Sequence, residues 1–210
     1  MGKNIYAYTD KALKALRRQM VRRFAGLKNL TRSDEIHVLS TVRQVYIDLE
    51  EDARRVYLLI AEQAWRQVTD TPSGVNRRWL DTILGGYDPV TGYVFNHECE
   101  RKRARLAESL VSALSAGKTA PRSGSKEIDT ALRLWSGMVT QYAIEITDAA
   151  RKAAMEAEGV DKVMWQTRQD ERRCAACKAR HGKVYPIDKV PPKPHIGCRC
   201  YLIPFHEGGH

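Results

Sequence analysis

Apolar residues recur at steps of three and four through most of this chain, the pattern of one buried face on an α-helix. Between Asp10 and Leu27 the stripe is Leu13, Leu16, Met20, Phe24 and Leu27, which predicts a helix ending near Gly26 and Asn29. A second helix is predicted from Ser33, an N-cap followed by Asp34 and Glu35, to about Thr69. Its inner face would carry Leu39, Val42, Tyr46, Leu49, Ala53, Val56, Ile60 and Ala64. No Gly or Pro interrupts it, so at 1.5 Å per residue it would run roughly 50 Å and favour an elongated body or an oligomer-facing rod. Turn residues then crowd positions 71–96, leaving only Arg77–Leu84 with helical character. Glu98 to Ala116 is predicted as a third long helix, with Leu106, Leu110 and Leu114 inward.

The stretch GKTAPRSGSK, residues 117–126, has the composition of a linker. Beyond it Ser125 would cap a further long helix, with Ile128, Leu132, Trp135, Val139, Tyr142, Ile146, Ala149 and Ala153 on one face and Gly159 as its stop. The last fifty residues change character. Five prolines and four of the five cysteines fall there, and short β-like runs at Lys183–Ile187 and Arg199–Ile203 replace the helical period. The expected fold is therefore mainly α, an elongated helical body with a small C-terminal β-containing cysteine knuckle. Its divisions are an N-terminal helical region over 1–116, a linker over 117–126, and a long helix plus terminal module over 127–210.

Composition narrows the classes. At 210 residues, 43% hydrophobic and 29% charged, the chain suits one or two globular domains. No run approaches eighteen apolar residues, so no membrane partner is expected, and MGKNIYAYTDKALKALRR lacks the apolar segment of a secretory leader, so synthesis in the cytosol is expected. Neither a GxxxxGK[ST] nor a GxGxxG phosphate loop is present. The net charge is +10, and it is uneven: residues 1–30 hold eight bases against Asp10 alone, and Trp165 to Cys200 hold nine against three acids. Two basic poles suit contact with a polyanion, DNA foremost, with Arg17, Arg18, Arg22 and Arg23 as the contact candidates. The plainer reading is a solvated surface.

Cys174-Ala-Ala-Cys177 and Cys198-Arg-Cys200 lie twenty residues apart. In a cytosolic chain such pairs point to a structural zinc ion held by Cys174, Cys177, Cys198 and Cys200, with His195 and His181 as reserve ligands. Arg172, Arg173, Lys178 and Arg199 would offset the charge of the thiolates. The second pair is C-x-C, shorter than the C-x-x-C of a zinc ribbon, so one of its sulfurs would give way to a histidine if the arc is too tight. Disulfides and small buried hydrophobes are the competing readings. His195 would either ligate the metal or bond a backbone carbonyl, the latter slightly favoured. A cysteine protease is disfavoured because a catalytic thiol stands alone. A zinc hydrolase would have to draw its base from Asp170 or Glu171. Cys99 and His97 read as structural.

Read as a string, residues 165–204 are WQTRQDERRCAACKARHGKVYPIDKVPPKPHIGCRCYLIP. This resembles the bacteriophage head-morphogenesis family, the Mu F-like minor head proteins, at Trp165, Thr167, Asp170, Arg172, Cys174, Cys177, Gly182, Pro194, His195, Cys198, Arg199 and Cys200. The resemblance covers roughly 127–205; the first 120 residues only look helical. It implies a non-enzymatic virion protein, made in the host cytoplasm, that binds portal, capsid or scaffold proteins in procapsid assembly, DNA packaging or ejection. Some such proteins carry a toxin domain after the module, and none is expected in the ten residues after Cys200. The residues also have local readings. Thr167 and Asp170 make a capping pair for a turn that delivers Cys174 and Cys177, and Trp165 anchors the long helix to the module. Gly182 permits a tight turn, Pro191, Pro192 and Pro194 stiffen the return path, and Arg199 faces away from the sulfurs toward Asp170, a partner or DNA. The alternatives are a zinc-dependent nucleic-acid-binding prophage protein and, further off, a metal nuclease.

Overall fold

A computed structural model of the chain describes residues 4–30, 35–116, 125–167 and 174–206. Among the described residues five helices lead into a three-stranded sheet that carries a sixth helix after its first strand: α1 Ala7–Gly26, α2 Glu35–Arg66, α3 Arg77–Gly85, α4 Phe95–Ser115, α5 Ser125–Ala157, β1 Lys162–Gln166, α6 Ala175–Arg180, β2 Val184–Pro186 and β3 Tyr201–Pro204. The fold is mainly helical with a small β-containing cysteine knuckle at its C-terminal end, as the sequence pattern predicts.

α1 buries every residue of its predicted stripe. α2 runs 32 residues without a break, and its buried face differs from the pattern at two points. Val38 is inside where Leu39 was expected, and Tyr57 is inside where Val56 was expected. Leu114 of α4 is half-buried, and Ala113 takes the inward place. α3 is started by Asn76, whose side chain accepts from the Trp79 N–H at 2.9 Å. Capping by Ser33 and the linker stretch 117–124 lie outside the described residues, as does the side chain of Ser125.

α5 is the spine. Ile128, Trp135, Val139, Tyr142 and Ile146 face inward as expected, but the last two turns bury Ala150 and Ala154, one position beyond Ala149 and Ala153. Its C-terminus is closed by Gly159 at φ +72: Val160 N–H donates to Met155 O and Gly159 N–H to Glu156 O. These are the two bonds of a Schellman cap, whose left-handed residue favours glycine.

One apolar cluster joins α1, α2, α3, α4 and α5, so helices on both sides of 117–126 share it. At its centre Trp135 meets Tyr46 edge-on at 5.2 Å, and Phe95 meets Tyr57 and Tyr142 at 5.9 and 5.0 Å. The buried hydroxyl of Tyr57 donates to Val139 O.

The sheet order is β2-β1-β3, antiparallel throughout. β1, absent from the sequence reading, is the central strand, with Val163 and Trp165 buried and their neighbours turned outward. Cys198 and Cys200 precede β3 rather than lying on a strand; they sit in the loop that enters it.

Candidate metal centre and its attachment to the helical body

The knuckle is assembled by a short chain of local devices. β1 ends at Gln166, and its Trp165 carbonyl accepts from the Gly182 N–H at 2.8 Å. Gly182 stands at φ +78, a conformation that a side chain would strain, so the predicted turn is where glycine is needed. Cys174 is the N-cap of α6, and its sulfur accepts from the Cys177 N–H at 3.3 Å. The return path through Pro191, Pro192 and Pro194 then brings His195, Cys198 and Cys200 back onto Cys177.

Four sulfurs and one imidazole converge there. Cys174, Cys177 and His195 form one group and Cys177, Cys198 and Cys200 a second, with the ligand atoms of each group within 4.8 Å of one another. Cys177 Sγ lies 3.6 Å from Cys198 Sγ and 3.4 Å from His195 Nε2. Such a cluster can hold a metal ion. All five cysteines of the chain are free thiols, and Cys99 lies far off in the helical core. His181 joins neither group: its Nδ1 accepts from the Thr167 N–H at 3.2 Å. Asp170, Arg172 and Arg173 lie outside the described residues.

Electrostatics differ from one sulfur to the next. Hydrogen bonds from the Cys200 thiol and N–H hold Cys198 down to about 5. Cys200 is pushed up by that same bond to Cys198 and by burial, and burial raises Cys177 to about 12. The N–H of Cys177 lowers Cys174. His195 is raised, chiefly by the bond between Nδ1 and Ile196 O at 3.0 Å. That bond also orients the ring. Fixing the proton on Nδ1 leaves Nε2 with its lone pair toward Cys177, so carbonyl bonding and metal ligation are complementary here.

Two assignments from the sequence change. Trp165 packs with Cys177, Cys198, Cys200 and Tyr185 inside the knuckle instead of anchoring the long helix, and Arg180 stacks on its ring at 5.1 Å. Arg199, expected to meet Asp170, a partner or DNA, pairs with Asp10 of α1 at 2.7 Å and covers the Tyr6 ring at 5.0 Å.

That contact belongs to an attachment the sequence did not announce. Tyr6, buried just before α1, donates to Cys200 O at 3.0 Å and sits 2.6 Å from Asp148 Oδ1. Lys193 donates to Cys198 O and to the Tyr6 hydroxyl and pairs with Asp148. Gln141 accepts from the Gly197 N–H, and the buried Arg151 donates to Leu202 O. The Cys200 carbonyl is thus satisfied from the helical body, and the Cys198 carbonyl by Lys193 of the proline path. The signal available in the sequence was slight: a tyrosine before a helix and a lysine between prolines.

The four candidate arginines on α1 divide into two pairs. Arg23 is taken by Asp48 and Asp52, and Arg17 donates to Thr140. Arg18 and Arg22 are exposed and, with Lys11 and Lys14, make a basic face opposite the buried stripe.

Beside the knuckle a cavity of about 380 Å³ opens between the loop after α3, α5 and the proline path, with Glu145 and Asp148 on its wall. Burial pushes the Glu145 carboxyl up to about 7, Asp148 adding to the rise and Lys193 opposing it. The folded protein therefore holds a proton that the unfolded chain, near 4.5, has released. This contribution is fully present below the unfolded value and is lost as pH rises through about 7. Glu145→Gln should flatten the fall in melting temperature over that window; an unchanged slope would assign it to other groups. For Tyr6→Phe the expected cost is about 1–3 kcal/mol, because the Cys200 carbonyl loses its partner. Urea unfolding would measure it, with faster amide exchange over 196–202 as the local sign. Wild-type stability and exchange would show that the attachment does not depend on this hydroxyl.

No curated protein and no solved structure matches the chain. Residues 104–203, just under half of it, match the family described as phage Mu protein F like protein. The matched stretch begins within α4 and takes in α5, the cysteine cluster and most of the sheet. The match over this module supports a resemblance to the phage Mu F-like family, which points to a phage head morphogenesis protein.

Proposed function

We propose that the chain is a minor head protein that acts by binding: it docks to the portal or inner capsid during procapsid assembly, DNA packaging or ejection. The observation that carries this reading is the family match over 104–203. Two features support a binding role. Thiols and one imidazole make up both donor groups, the donor set of a structural zinc site. The buried, hydrogen-bonded C-R-C loop is fastened to the helical body, as suits a staple more than a reaction centre.

In this reading a zinc ion fills the cluster and closes the knuckle. Thiolates and imidazole are the donors zinc prefers, and a chain segment this short gains most from such a cross-link. The protein is assembled in the host cytoplasm and carried in the virion. No helix among the described residues is long and apolar enough to cross a membrane. The basic face of α1 would lie toward packaged DNA, with Arg18 and Arg22 as its free contacts.

Tagged protein expressed with the head proteins of its phage should retain the portal through a salt wash, and immunoblots should find it in purified particles. Absence from particles, joined with sequence-selective DNA binding, would replace this reading by a prophage regulator. Metal-dependent DNA cleavage lost in His195→Ala would replace it by a nuclease.

DNA affinity should fall as salt rises, and Arg18→Ala with Arg22→Ala should lessen the salt slope by about one unit for each arginine removed. The same double change with an unaltered slope would leave α1 as plain surface.

A further inference from the structure

A further concentration of positive charge forms only when the chain folds. Positions 101–105 read Arg-Lys-Arg-Ala-Arg, four bases in five residues of α4. Arg101 and Arg105 stand one turn apart on one face of α4, and Lys126 and Thr130 do the same on α5. The fold sets these faces against each other around a cavity of about 280 Å³. Its floor is apolar, with Tyr46 of α2, Leu106 and Ala131 buried. Arg101, Lys102, Arg105 and Lys126 all line it.

Charge is not balanced there. Glu98 serves both Arg101, at 2.8 and 2.7 Å, and Lys102, at 3.2 Å, so one carboxylate meets two cations. Arg103 is turned aside to Glu100. Arg105 and Lys126 are exposed, and their side chains have no acid partner among the described residues. The acid on the cavity wall is Glu127, whose Oε2 is buried without a hydrogen-bond partner. It opposes an anion but does not cancel the surplus. Asp129, next to this face, is occupied by Lys28 at 3.4 Å, which brings the end of α1 against the helix that carries Lys126.

We propose that this cavity is a phosphate-binding cleft for the backbone of duplex DNA, with Arg105 and Lys126 as the contacting cations and Arg101 and Lys102 flanking them. The proposal rests on the reading that the chain meets packaged DNA, and adds to α1 a second contact that the uneven charge of the chain does not announce. Guanidinium groups match phosphate oxygens with paired donors, and lysine adds a point charge. At this size the cavity falls below the usual range of a small-ligand pocket, about 300–1,000 Å³, and its cations stand at an exposed rim. Such a site suits a group presented by a long chain more than a free molecule.

The test measures anisotropy of a short labelled DNA duplex against the full chain over a salt series. Arg105→Ala with Lys126→Ala should lower the salt slope by about two units, one for each cation removed. Melting temperature should hold, since both side chains are exposed and unpaired. Glu127→Gln should tighten binding roughly fivefold, as removal of one like charge about 4 Å away in water does; unchanged affinity would count against an anion at this wall. The Arg18→Ala and Arg22→Ala pair separates the two contacts. If that pair flattens the slope and the cleft pair does not, the α1 contact stands and the cleft assignment falls. If only the cleft pair flattens it, the cleft is supported and the α1 contact fails. Should the cleft pair weaken poly-glutamate binding as much as DNA binding, the site reads acidic chains in general and the phosphodiester assignment falls. Loss of deoxyadenosine monophosphate binding with an unaltered DNA slope would assign the cavity to a free nucleotide and overturn it as well. A wild-type chain that binds no duplex at low salt would end the DNA reading itself, and the cleft with it.

Discussion

Five soft donor atoms drawn into one small volume set the terms for the rest of this molecule. The knuckle's apolar clusters are small: Trp165 with the cysteines, edged by Tyr185, Val190 and Leu202, and Val163 with Ile187 against Met155 of α5. So few side chains cannot offset the entropy of ordering two proline-rich loops. The segment needs a cross-link at its centre and support from outside. The sulfur and imidazole cluster can supply the first, and the helical body supplies the second through bonds to the Cys200 and Leu202 carbonyls. A backbone loop buried against helices demands such partners, since an unpaired carbonyl there costs more than a hydrogen bond returns.

Part of that support comes from stretches of the chain that lie outside the family match. Tyr6 and Asp10 hold the C-R-C loop from the start of α1, and Gln67, near the end of α2, accepts from Arg151. The module is thus completed by residues from the other end of the chain. The consequence for function is geometric. α1 has one end fixed on the knuckle and a buried stripe fixed in the core, so its basic outer face is presented at a set angle to the cysteine cluster.

Periodicity served well where one face meets one core. α1 shows this, with every predicted position buried. Long helices strained the rule. In α5 the predicted stripe took a step of three at Ala149 where the structure takes four to Ala150, because 3.6 residues per turn does not resolve into a fixed alternation over 33 residues. α2 traded Leu39 for Val38 and Val56 for Tyr57, since its neighbours, and not its own hydrophobicity, decide which side of a wide apolar face is covered. β1 was missed because Val163 and Trp165 are too few to mark a period of two; pairing with β2 and β3 makes the strand.

The amino-acid sequence by itself determined the inventory: helical stripes, cysteine pairs at ligand spacing, glycines at the cap and turn, and the string that resembles the Mu F-like family. Those are local properties, set by rotation per residue, by reach along a loop and by the conformations a side chain permits. The tertiary structure alone decided which groups meet. It turned Arg199 to Asp10 and sent His181 to the Thr167 N–H. It also placed His195 beside Cys177 and made Tyr6 a support for a loop 194 residues away. Contacts of that kind depend on how helices cross and where loops land, and no spacing in one dimension records them.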